Sequence, residues 1–394
     1  MDEAARTTAL YDQRSIEHLR DPYAQLATLR SAGPCMVDET TGKWFLLSYD
    51  AVQAGLSKIV RGNPEGVDRR KHFPENPFAA DGPGHMGPRR VIAPTFTNRG
   101  VQRYADTADR IVADILDAKT DGDELRVVSE LGFRLPYEMT CEMLGVPQVG
   151  NAEELRTWTW RCLELIDAFL SPEQLRINLE AAANLSAHLH EVIEWRKDHL
   201  DDDVLSTVIA AANDGRMRPE QVVPYVHTLY LAGMHTTVNQ TSLGVWAMLE
   251  HPGQWDLLRT KPELMGNAVE ELLRFEPTAQ YMRRSGVHDA QIGDVTIPAG
   301  AEVVCWIASA NRDEARFGPS ADALDITRAD ARHHIAFGYG PHACIGSWLA
   351  RLELHAVLQA LIKRFPMSTL PGQDLVWTSN VIRGPEELLV TLNA

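Results

Sequence analysis

Apolar residues recur along most of this chain three and four positions apart, the spacing that collects them on one face of an α-helix. Eight stretches follow this rule and are predicted to be helical: residues 103–118, 124–144, 151–168, 173–199, 219–250, 254–260, 262–275 and 345–364. The predicted fold class is therefore mainly α.

Strand-like patterns are short and few. They occupy residues 41–48 (TGKWFLLS), 294–300 (DVTIPAG), 301–309 (AEVVCWIAS) and 387–393 (ELLVTLN). A turn is expected at 298–300, where Pro-Ala-Gly separates two of them. Residues 67–84 are rich in proline, glycine and charge and are predicted to form a long loop. With no repeat and no evident linker, we expect one domain over residues 1–394, mainly helical with small sheets.

Charge and targeting signals narrow the classes of function. The chain has 394 residues, 44% of them hydrophobic, and a formal net charge of −16. This acidity argues against general binding to nucleic acids or anionic membranes. The N-terminus MDEAARTTALYDQRS has neither a signal peptide's basic start nor its apolar stretch, so a cytoplasmic protein without a membrane anchor is expected.

Five cysteines are present: Cys35, Cys141, Cys162, Cys305 and Cys344. Their odd number and wide separation argue against a disulfide framework, and the absence of a C-x-x-C pair argues against structural zinc. One of them has a special context. Cys344 lies in HHIAFGYGPHACIGSWLARLEL, between glycines and directly before a predicted helix. A helix N-terminus favours a thiolate through its free N–H groups and its dipole.

The segment FGYGPHACIG resembles the haem-binding signature of the cytochrome P450 family, F-G-x-G-x-H-x-C-x-G, at every fixed position. The resemblance implies a single triangular domain, with haem b between a long central helix and the cysteine loop. It makes Cys344 the thiolate ligand of the haem iron, which favours O–O cleavage. Other signature positions implied to contact haem are Phe337, Gly338, His342 and Gly346.

Further segments resemble the family in the same order along the chain. EELLR (270–274) is similar to the family's E-x-x-R helix, which implies that Glu271 and Arg274, three residues apart, form a buried pair. The stretch 310–328 resembles the family's segment before the cysteine loop. The resemblance covers nearly the whole chain, from about residue 10 onward.

Four residues are implied to bind the haem propionates. DGPGHMGPRR (81–90) is similar to the family's D-P-P-x-H-x-x-x-R segment, and a helix would place its His85 and Arg89 on one face. Pro88 departs from that motif and is expected to strain a helix that has already begun. The resemblance adds Arg284 and His342 as the remaining propionate partners.

LAGMHTT (231–237) resembles the central helix motif [A/G]-G-x-[D/E]-T-[T/S]. Ala232 and Gly233 match the small residues that let the helix pass close to the haem and open for dioxygen. Thr236 matches the threonine that supports oxygen activation and relays protons. The usual acid is replaced by His235.

Three roles for His235 stay open. Its imidazole, with an ordinary pKa near 6.5, is able to shuttle protons in place of the acid. Alternatively it makes a structural hydrogen bond without exchanging protons, or it contacts substrate. The substitution also leaves open a slower or different reaction.

The substrate and the electron donor are defined only by class. Pocket positions implied by the family are Thr228, Leu231, Ala232, Gln280 and Val381, with Phe73 and Phe78 contributing from the long loop. Ferredoxin and its reductase are the implied electron donors. The arginines that flank the cysteine-side motifs form either a docking face for an acidic ferredoxin or a scatter of solvated side chains: Arg90, Arg99, Arg103, Arg332 and Arg351.

The predicted function is that of a soluble bacterial-type haem-thiolate monooxygenase. It would hydroxylate or epoxidise a hydrophobic small molecule with dioxygen, as in natural-product biosynthesis. One alternative is oxidative C–C or C–N coupling, or cyclisation, without oxygen insertion. A non-catalytic haem-binding sensor is a second alternative, for which Thr236 would be unnecessary.

Overall fold

A computed structural model describes residues 19–39, 41–59, 80–147, 152–165, 171–378 and 381–394, and the account below concerns these residues. The two phenylalanines predicted to contribute to the pocket, Phe73 and Phe78, lie outside them.

Helices dominate the described structure, as predicted. Their bounds are α1 Tyr23–Ala32, α2 Tyr49–Lys58, α3 Pro83–Ile92, α4 Asn98–Gln102, α5 Ala105–Asp117, α6 Arg134–Leu144, α7 Ala152–Glu164, α8 Pro172–Lys197, α9 Val204–Asn213, α10 Val222–Glu250, α11 Pro252–Thr260, α12 Met265–Phe275, α13 Ile307–Ala310, α14 Glu314–Phe317 and α15 Ser347–Arg364. Single 3-10 turns at Pro219–Gln221 and Pro262–Leu264 lead into α10 and α12.

Helix α10 is the centre of the fold. It is 29 residues long and packs against α6, α7, α8, α12 and α15. Its sequence is apolar on nearly every face, which is typical of a helix surrounded by protein. Most of its residues are accordingly buried, and the largest hydrophobic cluster of the molecule forms around it.

Three small sheets complete the structure. The strands are β1 Cys35–Val37, β2 Trp44–Leu46, β3 Glu124–Arg126, β4 Met282–Ser285, β5 Ala290–Ile292, β6 Val295–Ile297, β7 Glu302–Cys305 and β8 Leu389–Thr391. One sheet has the order β1-β2-β7-β4, with β2 and β7 parallel and the other pairs antiparallel. The pairs β3-β8 and β5-β6 are antiparallel. A second apolar cluster joins the larger sheet to α2.

The helix predicted over 124–144 is wrong in its first three residues, and its next six are not α-helical. Residues Glu124–Arg126 form β3, and a π-helix over Val127–Gly132 precedes α6. Leu125 lies opposite Val390 in the β3-β8 pair. This pairing partner is remote in sequence, and its backbone hydrogen bonds override a local pattern that also suits a helix.

The segment with the irregular proline is helical from Pro83 to Ile92, with Pro88 at its sixth position. Proline removes the hydrogen bond to the carbonyl four residues earlier, here that of Gly84. The helix nevertheless continues, and the Pro88 carbonyl accepts a hydrogen bond of 3.1 Å from the Tyr225 hydroxyl of α10. Tertiary contacts therefore hold a helix that the sequence disfavours.

Among the described residues, no helix combines the length and the apolar character that crossing a bilayer requires.

Candidate functional site

The loop before α15 folds tightly around Cys344. Gly338 and Gly340 have φ angles of 72° and 78°, a conformation that residues with side chains rarely adopt. The Cys344 amide donates a hydrogen bond of 2.8 Å to the Phe337 carbonyl, which closes the loop. Because α15 begins at Ser347, the cysteine lies just before a helix N-terminus.

Cys344 is an exposed residue, although the surrounding protein atoms are numerous enough to desolvate its thiol. Burial raises the pKa of its thiol, whereas the backbone N–H of Gly346 and the guanidinium groups of Arg89 and Arg351 lower that pKa. Because Cys344 is both solvent-accessible and desolvated by nearby protein, its sulfur faces a cavity inside the protein. A metal ion bound there would displace the thiol proton, since the thiolate is the metal ligand.

Helix α3, together with Asp81 two residues before it, holds the cysteine loop at three consecutive residues. The ring of His85 donates from Nε2 to the Pro341 carbonyl at 3.1 Å, and Arg89 donates to the next carbonyl but one, that of Ala343. Between them, His342 Nε2 lies 2.8 Å from Asp81 Oδ1. The structure thus brings three of the four predicted propionate partners together beside Cys344.

The rings of His85 and His342 lie with their centroids 4.0 Å apart. Asp81 was quoted in the motif but given no role by sequence reasoning. The position of Asp81 at the start of the D-P-P-x-H-x-x-x-R-like motif was the sequence signal that could have identified it.

Arg284, the fourth predicted propionate partner, is a buried cation on β4, 5% exposed. One of its terminal nitrogens donates to the Arg283 carbonyl at 2.9 Å, while its buried Nε has no hydrogen-bond partner. Burial lowers its pKa, and the nearby Cys305 and Asp81 oppose that shift. A buried guanidinium without an ion-pair partner among the described residues is suited to an anionic ligand.

One face of α10 is open. Four residues at helical spacing share partial or full exposure: Thr228, Leu231, Ala232 and Thr236. Their neighbours Tyr230 and Met234 are almost fully buried. An exposed alanine at the middle of a central helix means that this face borders a cavity.

The Thr236 hydroxyl donates a 2.8 Å hydrogen bond to the Ala232 carbonyl one turn earlier. Its lone pairs therefore remain available on the open face.

Gly233 is half-buried and packs against α6, whereas its neighbour Ala232 is exposed on the open face of α10. A Cβ atom at Gly233 would lie 2.7 Å from Thr140 Oγ1, closer than real Cβ contacts. The glycine thus permits the close approach of α10 and α6. This packing explains the small residue, and its participation in oxygen access remains a prediction.

His235 is turned towards α7. Its ring meets Trp160 edge-on, with centroids 4.5 Å apart and planes at 89°. The side chain is 8% exposed and Nδ1 is buried without a hydrogen-bond partner. Burial lowers the pKa of His235 to about 4, so that the imidazole is neutral at pH 7. Trp160 was not singled out by sequence reasoning.

Glu271 and Arg274 form a fully buried ion pair on α12, with both side chains 0% exposed. Their two contacts are 2.7 and 2.8 Å long. Arg274 also donates to the carbonyls of Asn311, Ala321 and Ala323 in the segment that precedes the cysteine loop.

A second carboxylate on α12 is attached to the cysteine loop and its helix. Glu270 accepts two hydrogen bonds from Arg351, of 2.7 and 3.0 Å, and one of 3.0 Å from His334 Nε2. Because the Ala336 amide donates to His334 Nδ1, that imidazole is neutral with its proton on Nε2. Burial opposes ionisation of Glu270, but these donors hold its pKa at about 2.

The positions predicted to line the pocket differ in their surroundings. Thr228 donates to the Pro224 carbonyl and, like Leu231, lies on the open face of α10. Gln280 is 1% exposed, and its amide donates to the Pro277 carbonyl. Val381 is half-buried in the C-terminal segment. The Gln280 side chain is therefore directed into protein.

Comparison with known proteins agrees with this geometry. The family model "Cytochrome P450" matches residues 257–387, which include the E-x-x-R helix and the cysteine loop. The 6-deoxyerythronolide B hydroxylase of Saccharopolyspora erythraea is 31% identical, over 98% of this chain and 100% of that protein. This chain belongs to the cytochrome P450 family. The cytochrome P450 monooxygenase PikC of Streptomyces venezuelae is 33% identical over 93% of the chain and 90% of its own length.

Solved P450 structures have the same fold. P450BioI, crystallised in complex with an acyl carrier protein ligated to hexadec-9Z-enoic acid, superposes with a TM-score of 0.88 at 30% identity, over 96% of this chain and 100% of its own. CalO2 reaches a TM-score of 0.90 at 26% identity, over 98% of this chain and 99% of its own. This P450 is accordingly an oxidoreductase of the monooxygenase type, with a haem-iron cofactor, that oxidises small molecules.

The residues of this P450 fit a haem. The exposed Cys344 provides a thiol that can ligate iron. The buried Arg284, whose Nε has no hydrogen-bond partner, provides a cation for a propionate carboxylate. The exposed Ala232 leaves room for the porphyrin ring. Of the arginines predicted to form a docking face, Arg103 pairs with Asp202 and Arg351 with Glu270. The others are exposed: Arg90, Arg99 and Arg332.

Proposed function

We propose that Cys344 binds the iron of haem b as a thiolate and that this P450 inserts one atom of dioxygen into a hydrophobic small molecule. The observation that carries the proposal is the cysteine loop, which presents an exposed sulfur at a helix N-terminus inside the protein. When bound, haem supplies the iron at which dioxygen is activated and a C–H or C=C bond is oxidised. The protein's own residues hold the cofactor, orient the substrate and deliver protons.

The haem propionates are assigned to Arg284, Arg89, His85 and His342. Arg284 supports this assignment most strongly, because its buried Nε has no partner and a carboxylate would complete its bonding. The other three lie beside the cysteine loop and already bond to it or to Asp81. Phe337, Gly338 and Gly346 are assigned to the proximal contacts, and Ala232 to the opposite face.

Proton delivery is assigned to Thr236 and His235. Thr236 directs its hydroxyl proton to the Ala232 carbonyl, so its oxygen accepts a proton donor on the open face. With a pKa of about 4, His235 relays as a neutral ring that takes a proton on one nitrogen and releases it from the other. A relay by the charged imidazolium would involve only about one molecule in a thousand at pH 7. Gly233 is assigned to access of dioxygen between these residues.

This assignment is tested by the product formed per electron consumed in Thr236→Ala and His235→Ala. Ser242→Ala is the matched control, since Ser242 is a buried hydroxyl of the same helix whose one hydrogen bond to the described residues goes to the Val238 carbonyl. We expect a lower product yield per electron in both variants and an unchanged yield in the control. Unchanged yield in both variants would contradict the assignment.

The substrate is proposed to be a hydrophobic scaffold of bacterial natural-product biosynthesis. Two similar P450s are named for hydroxylation of 6-deoxyerythronolide B and of vitamin D(3). The open face of α10 presents one aliphatic side chain, one alanine and two threonines, a mixture typical of small-molecule pockets. Its residues are proposed to contact substrate together with the segment at Gln280 and Val381.

Oxidative coupling or cyclisation without oxygen insertion is the second candidate. It is favoured by His235, because a buried neutral imidazole is a weaker proton donor than the carboxylic acid that it replaces. The mass of the product distinguishes the two reactions. A gain of one oxygen supports insertion, whereas loss of two hydrogens or formation of a dimer supports coupling.

Electrons are proposed to come from a ferredoxin and its reductase, in the cytoplasm, with Arg90, Arg99 and Arg332 available to an acidic partner. The chain is proposed to form a single domain over residues 1–394. A net charge of −16 gives no support for nucleic-acid binding.

A further inference from the structure

Two adjacent amide side chains lie on α10 one turn beyond Thr236. Asn239 is 0% exposed and Gln240 is 4% exposed. Buried amides are costly unless they are hydrogen-bonded, and helix α10 does not need them for its own backbone. Their partners lie instead in two segments that come from distant parts of the chain.

These segments, residues 278–280 and 381–383, pair in antiparallel fashion and are called the ribbon below. Ala279 lies opposite Ile382 in an isolated bridge. The backbone N–H of Gln280 donates to the Val381 carbonyl at 2.9 Å, and the backbone N–H of Arg383 donates to the Thr278 carbonyl at 2.7 Å. The ribbon includes Gln280 and Val381, the two predicted pocket positions outside α10 that the structure describes.

Each amide of α10 binds one side of the ribbon. Gln240 accepts a hydrogen bond from the backbone N–H of Thr278 in the first segment and donates to the carbonyl of Glu276, two residues earlier, each at 3.0 Å. Asn239 donates to the Ile382 carbonyl of the second segment at 3.1 Å. The ribbon is therefore bound to α10 through two buried hydrogen bonds, and a third holds Glu276 just before its first segment.

Close packing limits the same contact. A Cβ atom at Gly384 would lie 2.4 Å from Asn239 Cγ, so that only glycine fits at the end of the second segment. The contact of Gly384 with Asn239 prevents the ribbon from moving closer to α10. Moving away would break the hydrogen bonds of Asn239 and Gln240.

The opposite side of the ribbon is fixed by charge. The Arg383 guanidinium donates to Glu276 Oε2 at 2.6 Å and to the carbonyls of Leu19 and Arg20. This anchor holds the ribbon to the N-terminal part of the described chain, and it meets α10 at the Trp246 ring, whose centroid lies 6.0 Å from Arg383 Cζ. Asn239 and Gln240 supply the buried hydrogen bonds that hold the ribbon at its distance from α10.

We infer that Asn239 and Gln240 are positioning residues that set the ribbon against Thr236 and thereby select which atom of the substrate is oxidised. Along the helix axis they lie only about 4.5 to 6 Å from Thr236. A misplacement of about 1 Å changes the rate at a given reacting atom by about a hundredfold, so a shift of the ribbon alters the competition between neighbouring bonds of the substrate. The inference rests on the proposed function, because it takes the Thr236 face as the oxygen side of the cavity.

The test compares two ligands of the iron in the holoenzyme, imidazole and 4-phenylimidazole, by their shifts of the Soret band. Imidazole is small enough to report on the iron alone, whereas the phenyl group extends towards the walls of the cavity. The variants are Asn239→Ala and Gln240→Met, which remove the hydrogen bonds to the ribbon. Ser242→Ala is the control, because it removes a buried hydrogen bond of the same helix that does not reach the ribbon.

We expect the Kd of 4-phenylimidazole to change by about tenfold in each variant, with that of imidazole within about twofold of its original value. Neither Kd should change in the control. Gly384→Ala displaces the ribbon from its own side and should reproduce the selective change if an α10 variant fails to fold. In Gln240→Met, the Thr278 amide should also exchange its hydrogen faster in the holoenzyme.

An equal change for both ligands, or no change for either, would overturn the inference alone. A wild-type protein whose Soret band does not respond to imidazole would overturn the proposed function on which the inference rests.

Discussion

The buried pair on α12 offers a direct test of how this P450 is held together. Arg274→Met keeps a long aliphatic side chain but removes the charge. Five hydrogen bonds disappear with the guanidinium, two to Glu271 and three to carbonyls of the segment before the cysteine loop. Methionine fits the same space through its flexible, unbranched chain. The change therefore isolates the electrostatic contribution.

Removing one partner of a buried ion pair costs about 3–5 kcal/mol, because the remaining charge is left in a medium that solvates it poorly. Here Glu271 keeps two contacts, one of 3.1 Å from Arg328 and one of 3.0 Å from the Asp325 amide. These partners reduce the cost for the carboxylate, whereas the carbonyls lose their donor outright. We expect a loss of about 3 kcal/mol in the free energy of unfolding, at the lower end of that range.

The assay is urea unfolding of the holoenzyme, monitored by circular dichroism. Arg176→Met is the control, because Arg176 makes two ion pairs on α8 with its side chain 61% exposed. Exposed pairs of that kind contribute little to stability, because water and salt screen the attraction between their charges. If Arg274→Met lost no more stability than this control, the buried pair would not be the brace described here.

Three further outcomes follow from single contacts. Gly233→Ala should lower the free energy of unfolding in urea by about 1–3 kcal/mol, because its Cβ atom would clash with Thr140 Oγ1. Adding Thr140→Ala removes the clashing atom and should restore most of that loss. An equal loss in the single and double variants would contradict this explanation. Glu270→Gln should be less stable than wild type by up to about 3 kcal/mol above pH 4.5, because the pKa of Glu270 is lowered to about 2 in the folded protein. This difference in stability should vanish as the pH falls from 4.5 towards 2. A difference that stays constant with pH would refute the prediction. Arg284→Met should release haem to an excess of apomyoglobin about tenfold faster or more, because a charge-assisted hydrogen bond contributes about 1.5–3 kcal/mol; an unchanged rate would remove Arg284 from the propionate site.

Much of this fold follows from local patterns. The long helices α5, α8, α10, α12 and α15 begin and end within a few residues of their predicted bounds, because each has a sustained apolar face. Helix α8 also has a sequence signal at its start, the capping box of Ser171 and Gln174 with Pro172 between them.

The failures have a common cause. Strand β3 depends on its register with β8 at the end of the chain, and no local pattern contains that information. The helix with Pro88 depends on a tertiary contact with Tyr225. In both places distant residues decide the conformation against local preference.

The site shows the same division. A glycine-framed cysteine before a helix was readable from the sequence because loop, thiol and helix are contiguous. The contact of His235 with Trp160, and that of Gly233 with Thr140, join separate helices and needed coordinates. Asn239 and Gln240 carried a usable signal, since two adjacent amides are unusual in a buried helix, but their partners could not be deduced from the sequence.

The central claim is that Cys344 ligates the haem iron, and the reduced, carbon-monoxide-bound spectrum tests it most directly. Thiolate ligation gives this complex its red-shifted Soret band. We expect that band in the wild-type protein and in Cys35→Ser, which alters a buried cysteine on β1. Cys344→Ser should lose the band while still binding haem. A red-shifted band that persists in Cys344→Ser, or that is absent from the haem-loaded wild type, would contradict the account.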